Sequence, residues 1–262
     1  MDILVCIKQV PGAANVAVDE VTGVLKRDGV ESKMNPYDLF ALETAFRIKE
    51  EKGGSVTALS MGPPQAREIL LEAIQMGADE GCLLTDRRFA GADVAATGYT
   101  LAQGIRRIGP FDLIICGKQT TDGDTAQVGA EMAEFLNLPH AAYVTRFESV
   151  TRDQIILFAN LEHTVQKLSI QIPCVVTVEK DLYTPRLPSY KRRLQTQDKQ
   201  IRVLTLQDLG DQDERHYGLS GSPTQVEKIF PPEQTAVRQI LTGSAESLSG
   251  RLLDILAVRK VI

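Results

Sequence analysis

Phe111-Asp-Leu-Ile-Ile-Cys-Gly-Lys-Gln-Thr-Thr-Asp-Gly-Asp-Thr-Ala-Gln-Val-Gly129 is the stretch on which the fold turns. Its apolar run at 113–116 is short and rich in β-branched residues, the pattern of a fully buried strand. A glycine-punctuated polar turn occupies 117–124. A helix start follows, with Asp124 placed to cap and Gln127 three residues on, the capping-box spacing. Strand, flexible turn and helix N-terminus in that order can hold an anion. The first N–H groups of a helix lack intrahelical partners and its dipole is positive there. A plain strand-to-helix connection has the same pattern. Neither Gly-x-Gly-x-x-Gly nor a Gly-Lys-Ser/Thr phosphate loop is present in it.

The same alternation recurs upstream. Ile3-Leu-Val-Cys-Ile-Lys-Gln-Val10 reads as a buried first strand ending at Pro11-Gly12. Residues 16–19 and 24–27 flank Thr22-Gly23 as a hairpin excursion. Asn35-Pro36 starts a helix, with Asn as cap and Pro in the first turn, and Gly53-Gly54 end it. A second strand at 55–60 and a helix at 65–76, stopped by Gly77, come next. A strand at 82–85 and a helix at 93–108 complete the following unit, and the helix after the quoted turn runs from 125 to 137. Four strand–helix units predict an α/β fold, a doubly wound, mostly parallel sheet with helices on both faces. Ligands in such sheets sit at the carboxyl ends of strands, here Val10-Pro11, Ser60-Met61-Gly62 and 117–125.

Beyond Pro139 the rhythm changes. Strands at 143–149, 155–160, 165–170 and 174–179 follow one another without helices, which predicts hairpins adding antiparallel strands to the sheet. A segment with two prolines and the basic run Lys191-Arg-Arg193 leads to a strand at 201–206. Residues 208–222 are polar and glycine-containing, a poor core former. A final amphipathic helix at 245–258 carries Leu248, Leu252, Ile255 and Leu256 on one side. Its spacing suits packing on its own domain or gripping a partner.

The 262 residues, 43% hydrophobic and 24% charged, are those of a soluble globular protein. A net charge of −5 argues against general nucleic-acid binding. No apolar run reaches the ~18 residues of a membrane span, and the N-terminus lacks a signal-peptide layout, so a cytoplasmic protein is expected. Cys6, Cys82, Cys116 and Cys174 have neither metal-site nor redox-pair spacing and sit in apolar runs, as small buried hydrophobes of a reducing compartment would. His140, His163 and His216 stand far apart, so neither a metal site nor a hydrolytic triad is expected.

These segments together resemble the β subunit of electron-transfer flavoproteins over nearly the whole chain. The resemblance rests on Val5-Cys-Ile-Lys-Gln-Val-Pro11, Asn35-Pro-Tyr-Asp38, Ser60-Met-Gly-Pro-Pro64, Met76-Gly-Ala-Asp79, Cys116-Gly-Lys-Gln-Thr-Thr-Asp-Gly-Asp-Thr-Ala-Gln-Val128 and Ile172-Pro-Cys-Val-Val-Thr177. Glu162-His163-Thr164 departs from it, since the family has an acidic residue and glycines in a tight hairpin there. The resemblance implies an α/β nucleotide-binding domain over 1–182, and a partner-binding loop and C-terminal arm over 183–262 that contacts the α subunit. It implies a nucleotide held by Cys6, Asn35, Pro36, Tyr37, Asp38, Met61, Gly62, Gly117, Lys118, Gln119, Thr120, Thr121, Asp122, Gly123, Asp124, Thr125, Ala126, Gln127 and Val128. Thr125 and Gln127 would add side-chain donors for phosphate, while Asp122 and Asp124 would orient rather than touch it.

The ordinary branch of the family holds AMP at this site as a structural filler. The electron-bifurcating branch holds an FAD that takes hydride from NADH. The loop Asp122-Gly-Asp-Thr-Ala-Gln-Val128 and the stretch Asp19-Glu-Val-Thr-Gly-Val-Leu-Lys-Arg-Asp-Gly29 look like the bifurcating branch. In that branch one electron goes through the α-subunit FAD to a flavin dehydrogenase of lactate, acyl-CoA or enoyl-CoA type, and the other to ferredoxin or flavodoxin. The flavin does the chemistry, so no catalytic acid or base is expected from this chain. Leu187, in Arg186-Leu-Pro188, matches the family's apolar anchor for the dehydrogenase. Pro188 belongs to the same loop, and Lys191 with its arginine neighbours would steer an acidic partner. An adenine-nucleotide-binding regulatory module of the same fold is the alternative from another class.

Overall fold

The computed structural model describes residues 1–12, 32–227 and 240–262. The expected hairpin at 16–27 lies outside the described residues. Two compact units are present, Met1–Glu227 and Lys228–Ile262. The first thus runs on past residue 182.

The first unit begins with β1 (Asp2–Cys6), β2 (Gln9–Pro11), β3 (Ser32–Met34) and α1 (Pro36–Lys52). Then come β4 (Ser55–Met61), α2 (Arg67–Met76), β5 (Glu80–Leu84), α3 (Val94–Ile108), β6 (Leu113–Gly117) and α4 (Val128–Leu136). The strands β7 (His140–Val150), β8 (Gln154–Leu161), β9 (Thr164–Gln171) and β10 (Cys174–Val178) follow in succession, before α5 (Tyr190–Gln195) and β11 (Arg202–Leu204). Among the described residues the main sheet has nine strands in the order β11-β5-β4-β1-β6-β10-β7-β8-β9. Every pairing from β11 to β7 is parallel, and β7-β8-β9 form an antiparallel meander.

Helices cover both faces because the strand order reverses at β1. The chain moves from β1 to β4 to β5 on one side, then returns to place β6 on the other. A crossover that keeps its hand must change face when its direction changes. Thus Ile3, Val5 and Ile7 join Ala41, Leu42 and Phe46 of α1 and Ile69, Leu70 and Ile74 of α2 in one core. Leu4 joins Leu101 and Ala102 of α3 and Met132 and Ala133 of α4 in the other. Helices carrying such apolar stripes lose them to solvent anywhere but against the sheet.

Several local expectations are corrected. The first strand breaks after Cys6, and Gln9–Pro11 turn aside to pair antiparallel with Ser32–Met34. At the break, the Asp38 carboxylate accepts from the Lys8 N–H at 2.7 Å. β10 is no added antiparallel strand: it is fully buried and lies parallel between β6 and β7. Its run of five apolar or β-branched residues without alternation is the signature of an interior parallel strand. The helix expected from 125 starts at Val128, and Asp124 does not cap it: its φ of 54° takes the backbone out of line. Nor does the Asn35 side chain cap α1, being engaged elsewhere. The 208–222 segment does contribute to the core. Tyr217 is fully buried, with its ring 5.5 Å from those of Phe89 and Tyr99 and its hydroxyl donating to Asp211 O at 2.6 Å. The turn between β8 and β9 holds two residues, with Glu162 at φ 32°.

In the second unit the expected helix is α6 (Ala245–Val258), capped by Ser244, whose hydroxyl accepts from Ser247 N. None of its residues is buried. No described helix is long and apolar enough to cross a membrane.

Candidate functional site

The reversal of strand order puts the carboxyl ends of β1 and β6 side by side with helices leaving on opposite faces. Cys6 pairs with Leu59 of β4 on one side and with Cys116 of β6 on the other. A crevice opens outside the strands at such a switch point. Loop 118–127, residues 35–38 at the start of α1, and Lys8 meet there.

Asn35 is the fastener. It is completely buried, and its amide donates to Gln119 O and to Asp38 Oδ1, both at 2.9 Å, while its Oδ1 accepts from Thr121 N at 3.3 Å. The loop is thereby tied to the root of α1 through its backbone, leaving Thr121 to Thr125 exposed. Asp38 sits beneath. Burial pushes its carboxyl up to about 7, against the Lys8 and Gly117 backbone N–H groups and the Asn35 amide, which favour the charged form. Gly117 lies so close that an added Cβ would stand 2.5 Å from Asp38 Oδ1 and 2.7 Å from the Tyr37 carbonyl carbon. Pro36 occupies the first turn of α1, where its missing N–H costs nothing.

The loop is strained as well as tied. Asp124 (φ 54°) and Ala126 (φ 58°) both lie in the left-handed region, which costs a non-glycine residue about 1–2 kcal/mol each. Thr120 holds the turn, its carbonyl accepting from Asp124 N at 3.1 Å and its hydroxyl from Gly123 N at 3.3 Å, and Gln119 Nε2 donates to the Asp124 carboxylate. Gln127 is the N-cap residue of α4 without a side-chain capping bond, and Val128 is the first helical residue. Gly129 lets α4 approach β10, since a Cβ there would stand 2.5 Å from Thr177 Cγ2. Lys118 turns away toward β10: its N–H donates to Val178 O at 2.9 Å and its ammonium to Glu179 at 2.7 Å. Met61 ends β4 half-buried against the second core, and Gly62 N–H donates to Leu84 O at 3.0 Å.

The model of the electron transfer flavoprotein domain matches residues 22–209, which include α1 and loop 118–127. The chain belongs to the electron transfer flavoprotein β-subunit family. The "Electron transfer flavoprotein subunit beta" of Thermoanaerobacterium thermosaccharolyticum is 43% identical over 263 residues, covering 100% of both chains. The "Caffeyl-CoA reductase-Etf complex subunit CarD" of Acetobacterium woodii is 40% identical over 264 residues, again 100% of both. "Protein FixA" of Bradyrhizobium diazoefficiens is 43% identical over 260 residues, 97% of this chain and 90% of that one. Electron transfer flavoprotein β subunits pair with an α subunit and feed redox partners.

One residue of this β subunit's crevice was not among the expected site residues. Lys8 stands in the break after β1, and its ammonium bonds both carboxylate oxygens of Asp122 at 2.7 Å. Burial works to raise the Asp122 pKa, but Lys8, with hydrogen bonds from Thr120 and Gly123, holds the carboxyl below its usual range. The available signal was Lys8 at the end of a strand that stops at Cys6, hidden by reading that strand on to Val10. Cys6 itself is a neutral thiol. A hydrogen bond with Cys116 and burial both push it well up, and its Sγ lies 3.9 Å from Met132 Sδ. Burial pushes Cys82 up to about 11 and Cys174 to about 12, as unreactive thiols.

Leu187, Pro188 and Lys191 are exposed and not part of this crevice. Their loop rests on α1 near Glu43 and Glu50, the latter about 18 Å along the axis from Asp38 at 1.5 Å per residue. Arg192 corrects one expectation. Its guanidinium donates to Ile74 O and Ala78 O, both at 3.0 Å, so it serves the end of α2.

Proposed function

We propose that this β subunit binds FAD at the β1–β6 switch point and belongs to the electron-bifurcating branch of its family. The observation that carries this reading is the tie from buried Asn35 to Gln119 and Thr121. It presents an exposed, strained loop of backbone and hydroxyl donors over two parallel strand ends.

The donor set suits a phosphorylated nucleotide. The backbone N–H groups from Thr125 to Val128, at the N-terminus of α4, would meet an anion, and Thr125 and Gln127 would add side-chain donors. Lys8, by neutralising Asp122, lets that carboxylate stay beside phosphate as an orienting group. When bound, FAD would take hydride from NADH and split the electron pair between ferredoxin or flavodoxin and, through the α-subunit FAD, a flavin dehydrogenase. Cys6, held neutral, and half-buried Met61 would offer apolar contact. The tie at Asn35 fixes the loop's distance from the strands. No side chain of this chain acts as catalytic acid or base in this reading. Full-length likeness to a subunit of a caffeyl-CoA reductase–Etf complex supports a dehydrogenase acting on a CoA thioester. Leu187, Pro188 and Lys191 are the proposed contacts to it.

Nucleotide extraction from the co-expressed heterodimer tests the reading. Two FAD and no AMP per complex is the expected result. One FAD and one AMP would make this chain a scaffold for single-flavin electron transfer.

A further inference from the structure

Glu43 is a buried carboxylate on α1 that the nucleotide crevice does not use. Its Oε2 accepts from Arg186 Nε at 2.8 Å and from Arg186 N at 3.2 Å, and its Oε1 accepts from an Arg186 terminal nitrogen at 3.2 Å. Arg47 Nε adds a bond to Oε1 at 3.0 Å. The other terminal nitrogen of Arg186 reaches Glu50 at 2.6 Å, and the guanidinium lies 5.0 Å from the Phe46 ring centroid. Arg47 in turn lies 4.6 Å over the Tyr183 ring. A planar fork between two carboxylates is a rigid joint, unlike the single point contact of a lysine.

What this joint holds gains nothing from being held. Leu187 is 86% exposed, and Tyr190 and Leu194, one helical turn apart on α5, are 73% and 53% exposed. On the far side of Leu187, Ser189 N–H donates to Gln75 O at 3.1 Å, and Arg192 closes on the carbonyls of Ile74 in α2 and of Ala78 just beyond it. Leu187 and Tyr190 are thus carried on backbone fastened at both ends, and Leu194 extends the same short helix beyond Arg192. Ordering a segment before association lowers the entropy lost on binding, which is how a hot spot gains affinity without new contacts. Exposed Lys191 and Arg193 flank the apolar groups.

We infer that Glu43 is a positioning residue for partner recognition. Acting through Arg186, it sets Leu187, Tyr190 and Leu194 to enter an apolar pocket, rimmed with carboxylates, on the partner flavin dehydrogenase. The inference rests on the reading of Leu187 as the dehydrogenase anchor. Glu43 is too deeply buried to touch the partner itself, so any effect of changing it passes through the joint.

The test uses Glu43→Gln in the intact heterodimer, with Arg186→Lys as a second variant should the first fail to fold. Hydrogen exchange at 186–193 and steady-state transfer to a dehydrogenase are measured. The probe is whichever of a lactate, acyl-CoA or enoyl-CoA dehydrogenase accepts electrons from the unaltered heterodimer. The expected result is at least ten-fold faster exchange at 186–193 and a five- to twenty-fold higher KM for the dehydrogenase. Unchanged kcat, flavin content and NADH-driven flavin reduction complete it. Unchanged exchange overturns the joint, and an unchanged KM with faster exchange overturns its role in recognition. If the unaltered heterodimer reduces none of the three, the dehydrogenase reading fails by itself and exchange alone decides the joint.

Discussion

The side-chain amide of Asn35 donates to the carbonyl of Gln119 at 2.9 Å, across 84 residues of sequence. A second bond, from Thr121 N to Asn35 Oδ1, makes the contact two-pronged. One buried side chain thereby joins the helix that leaves β1 to the loop that leaves β6. Asn35→Ala should strip three hydrogen bonds from a buried site and cost about 1–3 kcal/mol of stability. Nucleotide content of the purified heterodimer should fall with it. Wild-type occupancy in a destabilised Asn35→Ala protein would show that the loop does not hold the ligand.

Gly117→Ala tests the closeness of the same contact. The new methyl would press on the Tyr37 backbone and on Asp38 Oδ1, whose carboxyl is held by the Asn35 amide and the Lys8 N–H. Overpacking of this kind costs about 1–3 kcal/mol, visible as a lower thermal midpoint. Full stability would mean that α1 can move off β6 freely.

Asp38 predicts a slope in stability against pH. Its carboxyl is raised from 3.8 to about 7, so between these values the folded protein holds a proton that the unfolded chain releases. Stability therefore falls as pH rises through that window, by at most about 1.4 kcal/mol per pH unit for one proton. Asp38→Asn should flatten this component. Urea unfolding of both proteins from pH 4.5 to 8 measures it, and parallel profiles would refute it.

Lys8→Met separates binding from folding. The Lys8–Asp122 pair is partly exposed, so its loss should change stability by less than about 1 kcal/mol. Removing the cation and freeing an uncompensated Asp122 should weaken nucleotide binding about ten-fold or more. Calorimetric titration of nucleotide into apo heterodimer, at low and high salt, distinguishes this from a structural defect.

Leu187→Asp should weaken transfer to the dehydrogenase severalfold while flavin content stays intact. Loss of flavin in this variant would count against the anchor role.

The alternation of strands and helices in the first half was legible because buried parallel strands and amphipathic helices have different periods. The helix start at Asn35-Pro36 and the stops at Gly53 and Gly77 were equally plain, since the proline of a first turn and the glycines after a last one act locally. β10 was misread as antiparallel, because pairing direction depends on where a strand lands in the sheet. Tyr217 was hidden in a polar stretch whose own composition does not show the apolar surface it meets across α3.

Within the site, the motif residues from Gly117 to Val128 announced a loop, while its anchoring did not show. Asn35 reads as a helix cap from its neighbours alone, and only the fold supplies Gln119 and Thr121 as better partners. Lys8 reads as a strand residue until its N–H is found on Asp38 and its ammonium on Asp122, and Arg186 as a basic residue until Glu43 is found beneath it. The sequence by itself determined the family, the layers and the loop, all of which depend on contacts and periodicities within a few residues. The tertiary structure alone decided which charges and amides are satisfied by one another, because such pairs form between residues brought together only when the sheet closes.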